Sequence, residues 1–494
     1  MVQAPLRWLW LALVVWPLKA LWMASVVLVP VLGVWVASSI AAYRNGPVWL
    51  ACLCGLLLFP VLPLLWDLFG SWRRGRSKRS RPRILTLRDR LILRTLVLNL
   101  AVLAGLLAGF PRDTFTALST RGDWFLDGRS GPQVEQARAL LFRAADRIEW
   151  LFDAVHANPY DEVVRDEGEP SLPEPVPGAS KVEASKVLPS TGPTPPPGPP
   201  SASVDAPAWP LPAQLHPLVV GMPAQAEASI EAVGRYIAEH EPDQRLRIKA
   251  LHDYVADRVA YDAEAYADRR YPPQDAETVF KTRLAVCAGS AQLLAALGKA
   301  AGEEIVVVLG DARVQGSDVT GEGHAWNAAR VADDWYLIDP TWDAGSVEGR
   351  TFTKRYSSSY LFAPPAVFTI SHFPEEPRWQ LQAPPVSRGD FFRAPMMRAE
   401  FHALGLTLLG PDRSQVSVDE VFEIAVDNPK GRFLLAKYVA PDGSTGRCAV
   451  DHGPRASARC ELPAPGAYQV ELYAAPEQYG SYPLVGSFAV NRGS

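Results

Sequence analysis

Between positions 285 and 343 a cysteine, a histidine and an aspartate stand in the order that thiol acyl transfer needs. Cys287 opens a run of good helix formers, Val286-Cys287-Ala288-Gly289-Ser290; His324 lies in Gly323-His324-Ala325-Trp326-Asn327 and Asp339 in Trp335-Tyr336-Leu337-Ile338-Asp339-Pro340-Thr341-Trp342. The thiolate, not the thiol, is the nucleophile, so the chemistry calls for a base beside the sulfur and a third group that orients the base. A cysteine at a helix start gains from the exposed amides and the macrodipole, which favour negative charge there. Its own backbone amide is a candidate oxyanion donor and Gly289 leaves space beside it, while no second donor stands out.

Each residue also has a plain structural reading. A single buried cysteine is commonly a small core residue, and an isolated histidine or strand-end aspartate is commonly hydrogen-bonded structure. The conjunction of all three, at a helix start and two strand positions, is what points to a site. His252 and His372 are weaker alternatives for the base, and Asp343 is a rival orienter. Trp326, Trp335 and Trp342 read as core or pocket wall.

The elements that must position these groups follow from periodicity. Ala288 to Ala300 forms a helix with Leu293, Leu294 and Leu297 facing a core. Two further helices are expected over Gln225–Glu239 and Gln244–Val259, the second with an apolar stripe of Leu246, Ile248, Leu251, Tyr254, Val255 and Val259, and a strand over Glu304–Leu309. The stretches 323–327 and 335–342 read as paired strands, with Trp326 on the face of His324. If Ala332 and Asp333 make a two-residue turn, Asp339 falls opposite Trp326 and diagonal to His324; a turn at Asp333-Asp334 carries it opposite Ala328, too far along. From Phe401 onward, short apolar strands are broken by Pro411-Asp412-Arg413, Asn428-Pro429-Lys430-Gly431 and Pro441-Asp442-Gly443-Ser444, the pattern of a small β-sandwich.

The chain of 494 residues is too long for one ordinary core, and its apolar residues concentrate in the first hundred positions. A net charge of -4 and the lack of a Gly-rich phosphate loop give no reason to expect nucleic acid as a partner. None of the five cysteines forms a Cys-x-x-Cys pair, so neither structural zinc nor any other metal or cofactor is expected. Cys448 and Cys460 are able to pair if their domain faces an oxidising compartment.

Leu21–Ala42, Val48–Leu65 and Leu91–Phe110 are each long and apolar enough for a hydrocarbon core of about 30 Å, with Arg94 expected to snorkel to the head groups. The run before Pro17 is too short to span. The basic cluster from Arg73 to Arg83, together with Arg7 and Lys19, places that loop and the N-terminus in the cytoplasm and everything after Phe110 outside it. A cleaved signal peptide fits poorly. Pro132–Val155 reads as an amphipathic helix, with packing on the catalytic part as its default role. Pro170–Pro212 reads as a semi-rigid polyproline spacer that gives reach from the bilayer.

The blocks Ala285-Val286-Cys287-Ala288-Gly289-Ser290-Ala291, Gly323-His324-Ala325-Trp326-Asn327 and Trp335 to Asp343 closely resemble the transglutaminase-like superfamily, over about Glu227 to Gly345. His252-Asp253-Tyr254-Val255 and Tyr261-Asp262 are similar to the lead-in before its nucleophile. Tyr360-Leu361-Phe362, Ser371 to Leu381, Phe401 and Gly405-Leu406 resemble the segment after the core in kyphoscoliosis-peptidase-type proteins, from which the N-terminal membrane segment departs. The resemblance implies an α+β papain-related core whose Cys-His-Asp triad maps onto Cys287, His324 and Asp339, followed by a β-rich region. It implies thiol hydrolysis or glutamine-to-lysine crosslinking of a protein or peptide substrate, or a binding module where activity is lost. The expected organisation is a membrane region over 1–112, a juxtamembrane helix and linker over 113–213, a catalytic domain over 214–372, and a linker with a β-sandwich-like domain over 373–494.

Overall fold

The computed structural model describes residues 16–44, 46, 48–75, 85–129, 131–165, 209–314 and 319–493. Arg7, the apolar run before residue 16, most of the basic cluster and nearly all of the proline-rich spacer lie outside the described residues.

Three helices, Ala20–Tyr43, Trp49–Arg73 and Leu87–Gly109, are long and apolar enough to cross a membrane. The second continues well past the expected end at Leu65, through a kink at Phe59-Pro60 where proline withdraws an amide from the helical ladder. That extension brings Asp67 into the bundle. Arg94 therefore does not snorkel: it pairs with Asp67, as does Arg90 at 3.0 Å, because an ion pair inside the protein is a nearer solution than the head groups. Asn99, fully buried, donates from Nδ2 to the carbonyls of Thr95 at 2.9 Å and Leu58 at 3.3 Å. Gly33 makes this possible, since a Cβ there would meet Asn99 Oδ1 at 2.1 Å.

The Cys287–Ala301 helix lies at the centre of a mixed helix and sheet core, packed by Ile230–His240 and Gln244–Arg258 on one side and by a five-stranded sheet on the other. Of the expected stripe, Ile248, Leu251, Tyr254, Val255 and Val259 are buried, whereas Leu246 is exposed. The sheet runs Leu361–Ala363, Asp334–Ile338, Glu322–Val331, Ile305–Ala312, His372–Pro374, with every neighbouring pair antiparallel. Val331 pairs with Asp334, so the turn is Ala332-Asp333, the register that favours Asp339. The expected strand 335–342 stops early, at Ile338. Pro340 has no amide to give the ladder, and Asp339 instead caps a short helix, Pro340–Ala344, that carries Thr341 and Trp342. The edge strand His372–Pro374 straddles the expected boundary between residues 372 and 373.

Beyond it, a six-stranded and a four-stranded sheet enclose one apolar core that includes Phe422, Ile424, Val470 and Phe488. Cys448, between the strands Thr445–Arg447 and Ala449–Asp451, forms a disulfide with Cys460 in the strand Arg455–Glu461 of this sheet-rich region.

The segment after the third long apolar helix binds these parts together. In Pro111–Arg121, residues 114 to 121 are all buried. Arg393 Nη1 donates to the Ser119 carbonyl at 2.7 Å, Arg121 Nη2 to Ser417 Oγ at 3.1 Å, and Arg388 pairs with Asp153 at 3.1 Å. The expected single helix 132–155 is two, Pro132–Asp146 and Glu149–Asp153, broken at Arg147-Ile148. Tyr160, ahead of the proline-rich spacer, packs beside Cys287, and Trp209, near the spacer's end, donates to the Ser359 carbonyl at 3.1 Å. Tyr160 and Trp209, on either side of residues 166–208, are thus held by contacts of their own, and the expected reach from the bilayer falls on residues outside the described ones.

Candidate active site

Cys287 is the first residue of its helix, and its preceding residue, Val286, donates its amide to Gln274 Oε1 at 3.0 Å. Gly289 is what allows Gln274 this close, because a Cβ there would lie 2.4 Å from Gln274 Oε1 and 2.8 Å from Val279 Cγ2. Cys287 packs with Tyr160 in one buried cluster, and its sulfur is near enough to His324 for its charge to act on the imidazole. Cys287 and Tyr160 are each only 1% exposed.

His324 sits on the strand Glu322–Val331 with its Nε2 2.8 Å from Asp339 Oδ2, which leaves Nδ1 for the sulfur. Burial opposes charge on this imidazole, but the charges of Asp339 and Cys287 and its hydrogen bonds to both outweigh burial and push its pKa up to about 10. For Asp339, burial likewise opposes charge, yet His324 and His372 hold its carboxyl well below the usual range. Its other oxygen accepts the amides of Thr341 at 2.8 Å and Trp342 at 3.1 Å, so the helix cap that ends the strand also aims the carboxylate.

The alternatives named from sequence fall elsewhere. Asp343 lies 3.2 Å from His252 Nε2 and accepts the Tyr360 amide; His252 also reaches Asp253 at 3.0 Å. This second pair is fully buried. His372 is at the site but not as a base, since its Nε2 is 3.1 Å from Asp339 Oδ2 and its Nδ1 2.8 Å from Ser371 Oγ. Trp326 is fully buried core, while Trp342 packs against both His324 and His372, with ring centroids 5.7 and 4.5 Å away.

Tyr160 carried no signal in chain order. Its strap is nonetheless built against the site. Asn158 Nδ2 donates to the Gly310 carbonyl at 2.8 Å, His156 Nε2 lies 2.7 Å from Asp311, and Arg388 holds the other oxygen of Asp311 at 2.6 Å. Gly323 completes the fit, because a Cβ there would meet Pro159 Cδ at 2.4 Å.

His324, Asp339 and His372 could offer a metal three ligand atoms within 4.8 Å of one another. Both imidazoles already spend their Nε2 on Asp339, and the donors close a hydrogen-bonded network without an ion. A cavity of about 560 Å³ lined by Glu135, Arg138, Phe142, Asp146, Arg393 and Arg413 shares no residue with this site.

Residues 231–340, which contain Cys287, His324 and Asp339, match the family model of the transglutaminase-like superfamily. The chain carries a transglutaminase-like core. Kyphoscoliosis peptidase of Mus musculus is 30% identical over 177 residues and that of Homo sapiens 29% over 177 residues, covering 34% of this chain in both cases. The matches cover 27% of each relative, so the chain spans about a quarter of the length of these curated relatives. A solved structure described as "Crystal structure of a TGase" is 21% identical, covering 26% of this chain and 34% of that one; its TM-score of 0.20 carries no argument. Tyr160 and His372 lie outside the transglutaminase-like match.

Proposed function

We propose that this protein is a membrane-anchored cysteine hydrolase of peptidase or amidase type. The observation that carries the reading is a His324–Asp339 pair at 2.8 Å beside Cys287, which stands at the start of a buried helix and whose charge acts on the imidazole. In the first half-reaction the Cys287 thiolate attacks an amide carbonyl carbon, and the oxyanion collapses to a thioester as His324 gives its proton to the departing amine. In the second, His324 takes a proton from water, the hydroxide attacks the thioester, and the carboxylic acid leaves as the sulfur regains its thiolate and His324 its charge. Asp339 holds the imidazole throughout.

The peptidase name of the two relatives favours water as the second nucleophile. An amine in its place would give glutamine-to-lysine crosslinking. The three apolar helices supply the anchor. Their flanking charges, and a disulfide in the sheet-rich region, support a cytoplasmic N-terminus and an extracytoplasmic catalytic part. To test the reaction, the full chain in detergent is assayed for peptide cleavage and for incorporation of a labelled amine into a glutamine-containing peptide. Cleavage that vanishes in Cys287→Ala supports the hydrolase; Cys287-dependent amine incorporation without cleavage replaces it with a transferase.

A further inference from the structure

We propose that His372 is a positioning residue, a neutral imidazole that shares the Asp339 carboxylate with His324 and fixes where its charge points. The inference rests on the reading of Cys287, His324 and Asp339 as the reacting groups. His372 is fully buried and opens the edge strand of the central sheet, paired with Ala312. The approach of that strand is built in. At Gly310 a Cβ would meet the Phe373 carbonyl at 2.2 Å and Trp326 Cη2 at 2.5 Å. Arg313, itself buried, pins the residues just before His372, its backbone amide donating to the Ser371 carbonyl at 2.9 Å and its Nε to that of Ile370 at 3.0 Å.

The tautomer follows from the partners. An ionised carboxylate oxygen only accepts, so His372 Nε2, 3.1 Å from Asp339 Oδ2, carries the hydrogen. Nδ1, 2.8 Å from the Ser371 hydroxyl, is a nearer acceptor for its single hydrogen than the Phe368 carbonyl at 3.4 Å. Both nitrogens are spent, which excludes His372 as the base for Cys287. The rings of Phe368, Trp342, Trp326 and Tyr360 surround it at centroid distances of 4.2, 4.5, 5.2 and 5.3 Å, so the low-polarity setting keeps it uncharged. A neutral donor is the useful kind here. A second cation on the same oxygen would compete with the charged His324, whereas a neutral N–H steadies the carboxylate without drawing its field away.

With His372 in place, Asp339 accepts four hydrogen bonds: Thr341 and Trp342 on Oδ1, His324 and His372 on Oδ2. Without it, Oδ2 keeps one partner, and the carboxylate gains freedom to turn and to take up a proton. The groups that touch substrate are unchanged, so the effect falls on turnover rather than on binding.

The test compares His372→Phe, which fits the aromatic surround but cannot donate, with His372→Gln, which keeps a donor at similar reach, in the full chain in detergent. We expect Phe to lower kcat by about tenfold or more with KM within about twofold, and Gln to restore most of the loss. With selective 15N-histidine labelling, the low-field Nε2–H resonance of His324 should move in the Phe variant and return in the Gln variant. Wild-type kcat and an unmoved resonance in His372→Phe would overturn the proposal, as would an equal loss in both variants. If the wild-type protein cleaves no peptide, the hydrolase reading fails, and the resonance alone still decides the role of His372.

Discussion

At the scale of single residues, His324 and His372 share one carboxylate that raises the pKa of both and one buried setting that lowers both, yet their net shifts are opposite. Burial disfavours charge on His324, but Asp339 and Cys287 carry it to about 10, against about 6.5 for an unfolded histidine. Its contribution to stability is therefore fully present below about pH 6.5 and is lost as pH rises through about 10. His252, where burial is outweighed by Asp253 and Asp343 and the value reaches about 9, adds the same sign over a shorter window. Burial takes His372 down to about 4, so its share is present above about pH 6.5 and is lost as pH falls through about 4. Urea melts of wild type and His324→Gln across pH 7 to about 10 check this: the alkaline decline should be shallower in the variant. An identical decline would assign the titration to other groups. Residue order and type name Cys287, His324 and Asp339 as candidates, and His324 and Asp339 are hydrogen-bonded at 2.8 Å, but order alone does not choose Asp339 over Asp343. That choice depends on a two-residue turn at Ala332-Asp333 and on Pro340 ending the strand, where Asp339 becomes a helix cap. Tyr160 was invisible because its proximity to Cys287 is purely tertiary, across more than a hundred residues of chain.

At the scale of elements, two glycines carry specific consequences. Gly289→Ala would drive a methyl into Gln274 and Val279 and disturb the Val286 amide contact just ahead of Cys287. Overpacking of this kind costs about 1–3 kcal/mol, and a thermal melt should show a lowered midpoint together with lost turnover. A midpoint at the wild-type value would mean that the neighbours yield freely. Gly323→Ala acts on the opposite side of the site, against Pro159 of the strap. Since the strap packs Tyr160 beside Cys287 and both are buried, Gly323→Ala and Tyr160→Ala should each speed carboxamidomethylation of Cys287 by iodoacetamide, by roughly tenfold or more for loss of a buried cover. Rates equal to wild type in both variants would show that the strap does not limit access. The core helices and the sandwich were legible because their apolar periodicity is local. The split at Arg147-Ile148, the exposure of Leu246 and the helical Thr341-Trp342 were not, since each is decided by packing or by a single proline.

At the scale of the whole molecule, contacts of the segment after the third long apolar helix join the apolar helices to the core. Arg44 pairs with Asp113 at 3.2 Å, Trp35 Nε1 donates to the Gly122 carbonyl at 2.7 Å, and Arg413 holds Asp123 while Arg121 reaches Ser417. Three apolar spans could be read from composition, but Asp67 lay beyond the expected end of the second and changed the partner of Arg94. Replacing residues 170–206 by a Gly/Ser segment of equal length should leave the melting midpoint and the rate of Cys287 alkylation unchanged, because Tyr160 and Trp209 are held on the core by their own contacts. A large change in either would return a positioning role to the spacer. Reporter fusions after Phe110 should be active only outside the cytoplasm; cytoplasmic activity would reverse the proposed orientation. The most direct measurement of the central claim is made on the full chain in detergent. A peptide substrate is added, the reaction is quenched in acid, and the Cys287 peptide is read by mass spectrometry. An acyl group on Cys287 that hydroxylamine removes, absent from Cys287→Ala along with turnover, is the predicted result. Turnover that persists in Cys287→Ala, or an acyl group on a different residue, would contradict it.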